Sequence, residues 1–147
     1  MNRQLLFTMS AGLLAAGCVT SVPPGAPVCE AYPDPASLND CKGDPNAPHV
    51  TLNMNMMIAE PHCVYAYPGK TLVFQIKPAA NNKLRRVDIF PKQSAGNWLA
   101  GSNSENEDYI LIKVPAKLKK GDHDYGIKTA SKCVDPRVRV QSPGGSG

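Results

Sequence analysis

From His49 to Gln141 the apolar residues recur at every second position in short runs, and helical spacing is almost absent. That period belongs to strands with one face in a core and the other in solvent. HVTLNMNM sets Val50, Leu52, Met54 and Met56 against Thr51, Asn53 and Asn55. CVYAY stops at the Pro68-Gly69 turn, and TLVFQIK puts Leu72, Phe74 and Ile76 on one side. LRRVDIF ends at Pro91, and DYILIKV aligns Ile110, Ile112 and Val114 before Pro115. Lys119-Lys120-Gly121-Asp122 reads as a turn into HDYGIKT, and RVRVQ closes the series with Val138 and Val140 inward. About seven short strands at turn spacing predict an all-β fold, an antiparallel Greek-key β-sandwich.

The region before these runs is of a different kind. Val19 to Pro48 holds seven of the 14 prolines and few large apolar residues. Proline fixes φ and removes the amide donor, so the stretch cannot form a helix or a central strand. It reads as an extended spacer. Residues 49–141 read as one domain, large enough for a single small core yet marginal without a staple. Residues 142–147, SPGGSG in the main, read as a frayed tail.

Residues 1–17 carry Arg3 and then an uncharged run, LLFTMSAGLLAAG, that is too short for a comfortable membrane span. A positive start and a short apolar stretch fit a signal peptide. Leu14-Ala15-Ala16-Gly17-Cys18 resembles a bacterial lipobox, with Ala15 where leucine is usual. The resemblance implies cleavage before Cys18, a diacylglyceryl thioether on it and an acylated new amino terminus. Several acyl chains anchor stably. Val19 rather than aspartate after the cysteine makes the outer membrane, periplasmic side, the expected location.

With Cys18 lipidated, Cys29, Cys41, Cys63 and Cys133 remain, and an oxidising compartment allows three pairings. Proximity in sequence suggests 29–41 within the spacer and 63–133 around the domain. The second closes a loop of about 70 residues and would stabilise by about 4 kcal/mol on chain entropy.

Charge divides at the same boundary. The spacer has one lysine against four acids, whereas residues 49–141 carry fourteen basic against eight acidic side chains. The clusters are Lys83-Leu84-Arg85-Arg86, Lys117-Leu118-Lys119-Lys120, and Arg137 with Arg139. They are either solvated faces or an anion-facing patch for an acidic protein or an anionic envelope component. Arg85, Arg86, Lys119, Lys120 and Trp98, with the loop 92–107, form the candidate surface. Nucleic acid is not expected, since the compartment is wrong and aromatic residues do not interleave with the charges.

Three stretches carry a resemblance to the cupredoxins and related immunoglobulin-like sandwiches, over about residues 60–141. Tyr67-Pro68-Gly69-Lys70-Thr71-Leu72-Val73-Phe74 resembles the family's G-x-T-V-x-F strand. Tyr109 to Pro115, followed by Leu118, Gly121 and Tyr125, resembles its P-x-x-L-x-x-G-x-Y hairpin. Asp135-Pro136-Arg137-Val138-Arg139-Val140 resembles a D-P-x-I-x-V final strand. The family's copper centre takes two histidines, a cysteine and a weak axial methionine, three of them near the last strand. Here neither histidine nor methionine follows Cys133, and RRVDIF has no histidine. The resemblance therefore implies the fold without the copper, and no cofactor is expected.

Other ligand-like runs have structural readings. In a strand, Met54 and Met56 point inward as core filler and Met57 points to the other face. A metal site built from Met57, His62 or His123 is the alternative. Asp122-His123-Asp124 reads as a turn, and SNSENED (102–108) lacks calcium-loop spacing. Trp98 is a loop anchor or a recognition aromatic. No nucleophile elbow, HExxH, P-loop or dinucleotide fingerprint is present. The expectation is a non-enzymatic binding or assembly module of the envelope; a copper-handling protein and an inhibitor of an envelope-directed hydrolase are the alternatives.

Overall fold

A computed structural model describes residues 29, 35–81, 85–92, 96–104 and 106–144. Cys18, Lys83 and Leu84 lie outside them. After a 3-10 turn at Pro35–Leu38, all regular structure is strand. The strands are β1 (His49–Asn53), β2 (Ile58–Glu60), β3 (Cys63–Ala66), β4 (Thr71–Lys77) and β5 (Asp88–Pro91). They continue as β6 (Gly101–Ser102), β7 (Tyr109–Lys113), β8 (Gly121–Lys128), β9 (Cys133–Val134) and β10 (Arg137–Val140). One sheet has the order β2-β1-β4-β7, and the other β3-β10-β8-β5-β6 with β9 also on β8. The two inner faces form the core of a β-sandwich, in which Val50, Leu72, Phe74, Val87, Tyr125 and Val138 are fully buried. The rings of Phe74 and Tyr125 meet edge-to-face across it at 5.6 Å.

The alternating runs fold as their period requires: β4 buries Leu72, Phe74 and Ile76, and β7 buries Ile110 and Ile112. The antiparallel expectation needs correction at two pairings. β1 runs parallel to β4, with His49 opposite Val73, and β3 runs parallel to β10, with Cys63 opposite Arg137. The chain crosses to the other sheet at β3 and returns at β4, so neighbours in these pairs are not joined by a hairpin.

The methionine run also departs from expectation. The strand stops at Asn53, whose Oδ1 accepts the amides of Asn55 (3.1 Å) and Met56 (3.3 Å). Such an Asx turn breaks the two-residue period. Met57 then takes φ 55°, in the left-handed region, at the return into β2. Met54 and Met57 are buried, while Met56 is 58% exposed. The inward pair is therefore 54 and 57, not 54 and 56.

The disulfides are Cys29–Cys133 and Cys41–Cys63, which corrects the expected 29–41 and 63–133. The cause is the edge of the second sheet. Residues 42–46 run along β3: the Lys42 amide donates to Cys63 O, Tyr65 N to Lys42 O and Tyr67 N to Pro45 O. Cys41 thus arrives at Cys63, leaving Cys133 for Cys29. From Cys41 to Pro48, the stretch read as spacer lies against the sandwich, with Cys41 and Pro48 buried.

The sandwich has two poles. At one, the turn 54–57, Lys77, the approach to β5, and β9 come together; Met57 and Ile58 line one small gap with Ile127 and Val134 there. At the other lie the Gly69 turn, the end of β7 and the start of β8.

Candidate interaction surface

Register separates the charged clusters that the sequence set in one surface. Arg85 and Arg86 precede Asp88, which sits opposite Lys128 at the end of β8. Lys119 and Lys120 precede Gly121, at its start. Seven residues of strand separate the two ends, about 23 Å at 3.3 Å per residue. Arg86 is moreover paired with Asp88 at 3.4 Å. The two clusters therefore lie at opposite poles and form no common patch.

Asp122-His123-Asp124 is strand rather than turn, and the alternation of β8 sorts its residues. Asp122 and Asp124 face outward to Arg139 and Arg137 on the neighbouring β10. Arg139 Nε donates to Asp122 Oδ1 at 2.6 Å and Nη2 to Oδ2 at 3.0 Å. Arg137 Nε donates to Asp124 Oδ1 at 2.6 Å. The Arg139 hydrogen bond holds the Asp122 carboxyl below its ordinary value, against the opposing cost of burial. The arginines are raised above theirs, chiefly by the same bonds. This ladder compensates Arg137 and Arg139, so the third basic cluster offers little free charge.

His123 points inward. It is 9% exposed, both ring nitrogens lack a hydrogen-bond partner, and its ring meets Trp98 edge-to-face at 5.5 Å. Trp98 is half-buried against the core. It anchors the loop between β5 and β6 instead of presenting an aromatic to solvent. His62 lies between β2 and β3, with Nδ1 2.7 Å from Ala59 O. Met57 packs near Ile127, four residues along β8 from His123, or about 13 Å. The three alternative metal ligands do not converge. Among the described residues one ligand grouping does, Cys29, Cys133 and Asp135, but its two sulfurs are joined as a disulfide and supply no thiolate.

Asn103 was not singled out by sequence. It is 4% exposed, its Oδ1 accepts the Val87 amide at 2.7 Å, and its Nδ2 donates to Ser104 O and Glu107 O at 2.8 and 2.9 Å. It ties the approach to β5 to the loop before β7. No local motif marks it, because its partners lie on two separate loops.

Cations without an ion-pair partner among the described residues stand at both poles: Lys77, Arg85, Lys128 and Lys132 at the pole of Cys133, and a larger group where β7 ends and β8 begins. The larger group is Lys70, Lys113, Lys117, Lys119 and Lys120, all exposed. Beside them is an open cleft of about 640 Å³ lined by Asn46, His49, Lys70, Thr71, Val73 and Lys113. Next to Val73 across the ladder stands Leu111, 66% exposed, and next to Gln75 stands Tyr109, 45% exposed, with Gln75 Nε2 donating to its hydroxyl at 3.2 Å. The surface is thus cationic at the pole and partly apolar along β7.

No family model matches the chain, and no curated protein does. Among solved structures it is similar to the copper-containing nitrite reductase NirK from Thermus scotoductus SA-01, at 15% identity and TM-score 0.47, over 78% of this chain but only 28% of that one. It is similar to a purple cupredoxin from Nitrosopumilus maritimus, at 12% identity and TM-score 0.43, over 64% of this chain and 99% of that one. It is also similar to a Cu(I) amicyanin variant, at 14% identity and TM-score 0.44, over 82% of this chain and 97% of that one.

Proposed function

We propose that this chain is a lipid-anchored envelope protein whose copper-free, cupredoxin-like sandwich works as a non-enzymatic binding or assembly module, and that its working surface is the lysine pole. The observation that carries the reading is the separation of the two ends. Cys29 is fastened to Cys133 at one pole, and five exposed lysines, three of them within residues 117–120, stand together at the other. Cys18 precedes Cys29 by eleven positions, a reach of at most about 40 Å. A domain held by that end near the outer membrane presents the lysines to what lies beyond. Unpaired cations in one region attract an anionic polymer or an acidic protein surface.

The test uses the full lipidated chain and isolated protein-free peptidoglycan sacculi as the anionic probe. Cosedimentation should be strong at low salt, fall as salt screens it, and be lost on Lys117→Glu, Lys119→Glu and Lys120→Glu together. Arg85→Glu with Arg86→Glu should change it little. Equal losses from the two poles, or binding indifferent to salt, would contradict the reading. Mass spectrometry of Cys18 from a membrane fraction tests the anchor separately.

A further inference from the structure

Sheet edges offer unpaired amides and carbonyls, and most edges of this sandwich are short or covered. Residues 42–46 cover β3, β2 has three residues, and β6 has two. β7 is the five-residue edge left open among the described residues. Its hydrogen-bonding phase follows from its ends. Ile76 N donates to Asp108 O at 2.7 Å, and Val114 N donates to Lys70 O at 2.8 Å. In an antiparallel ladder hydrogen-bonded pairs recur at every second residue. Pairs 74/110 and 72/112 therefore bond to β4, and Tyr109, Leu111 and Lys113 turn their amides and carbonyls outward. The same three residues are the exposed ones. The strand is also polar along its length: Glu107 and Asp108 precede it, while Lys113 ends it with Lys117 just beyond.

We infer that β7 pairs antiparallel with β7 of a second copy of this chain, about a twofold axis at Leu111. Antiparallel order lays the acidic start of each strand beside the basic end of the other, so the charges match at both ends. A heterologous strand would need that same acid-to-base order, whereas a second copy supplies it. Leu111 then meets the partner's Leu111, and Tyr109 stands opposite the partner's Lys113, where the ammonium can lie over the ring. The four-stranded sheet becomes eight-stranded across the pair. Antiparallel order sets each Cys29 attachment beside the partner's lysine pole, so a pair anchored through both tethers lies along the bilayer, and the lysine pole faces away from the membrane only in the unpaired chain. The inference deepens the assembly reading but fails separately from it, because self-association needs neither the anchor nor an anionic partner.

The experiment is register-specific thiol crosslinking of the full chain in detergent, with peptide mapping of the products. Leu111→Cys should form a covalent dimer under mild oxidation, since α-carbons of a hydrogen-bonded pair lie about 5.5 Å apart. Tyr109→Cys alone should not, because two such residues lie four positions apart along the pair, about 13 Å. Tyr109→Cys mixed with Lys113→Cys should. Leu111→Pro removes only an outward amide, so it should fold and sediment as a monomer; Leu111→Lys gives the same result with the amide retained. A chain monomeric at every concentration, or Tyr109→Cys linking to itself as readily as Leu111→Cys, would overturn the inference.

Discussion

Gly126 shows how one residue fixes the outer face of the second sheet. It lies opposite Phe90, and a β-carbon built there would sit 2.1 Å from Phe90 Cζ. The ring occupies the space that a side chain would fill, which is why Gly126 is buried in a strand. Gly126→Ala should displace the ring and destabilise by about 1–3 kcal/mol, read as a lower urea midpoint with unchanged slope. Asp122 supplies a second test at this scale. Its carboxyl is held below the ordinary 3.8 mainly by Arg139. A depressed carboxylate contributes stability above the unfolded value, and that contribution disappears as pH falls through the folded one. Asp122→Asn should therefore be less stable than the unmodified chain near pH 6, and the two should converge as pH falls through the lowered folded value. Parallel curves across that range would show the pair to be idle. The residue scale is also where sequence reading slipped by one step. Strict alternation put Met56 inward, but the Asn53 side chain opens a turn first, and Met57 takes the place in the core.

At the scale of elements, the strands were legible because their period is local, and the couplings between them were not. The inward residues of β4, β7 and β10 follow the pattern read from sequence. The pairing of Cys41 with Cys63 depends on a spacer segment lying along β3, a contact that proximity along the chain does not encode. Replacing both cysteines by serine should release that segment. The loop spans 22 residues, so the loss should be about 3 kcal/mol, with faster hydrogen exchange at the Tyr65 and Tyr67 amides. Unchanged exchange there would show that hydrogen bonds alone hold the edge. Asn103 joins two loops in a comparable way. Asn103→Ala leaves the Val87 amide without its acceptor and should cost about 2 kcal/mol, again by urea titration. The parallel pairings of β1 with β4 and β3 with β10 were hidden for the same reason: each depends on where the chain changes sheets.

For the whole molecule, the sequence supplied the charge and the fold supplied its distribution. Three basic clusters were visible in the sequence. One is neutralised by the aspartates of β8, one is partly paired at the pole that holds Cys133, and the lysines around Lys119 and Lys120 remain. Trp98, read as a loop anchor or a recognition aromatic, packs half-buried against His123 and the core, as an anchor does. The edge of β7 was half legible: the inward residues of DYILIKV were assigned, but whether its outer side was covered is a matter of sheet order. The central claim is that the lysine pole, not the tethered pole, meets the partner. The most direct measurement is photo-crosslinking in intact cells from a probe at Lys119 and, in parallel, from one at Arg86. The account predicts defined adducts with an envelope component from position 119 and none shared by position 86. Adducts from position 86 alone, or the same adducts in equal yield from both, would contradict it.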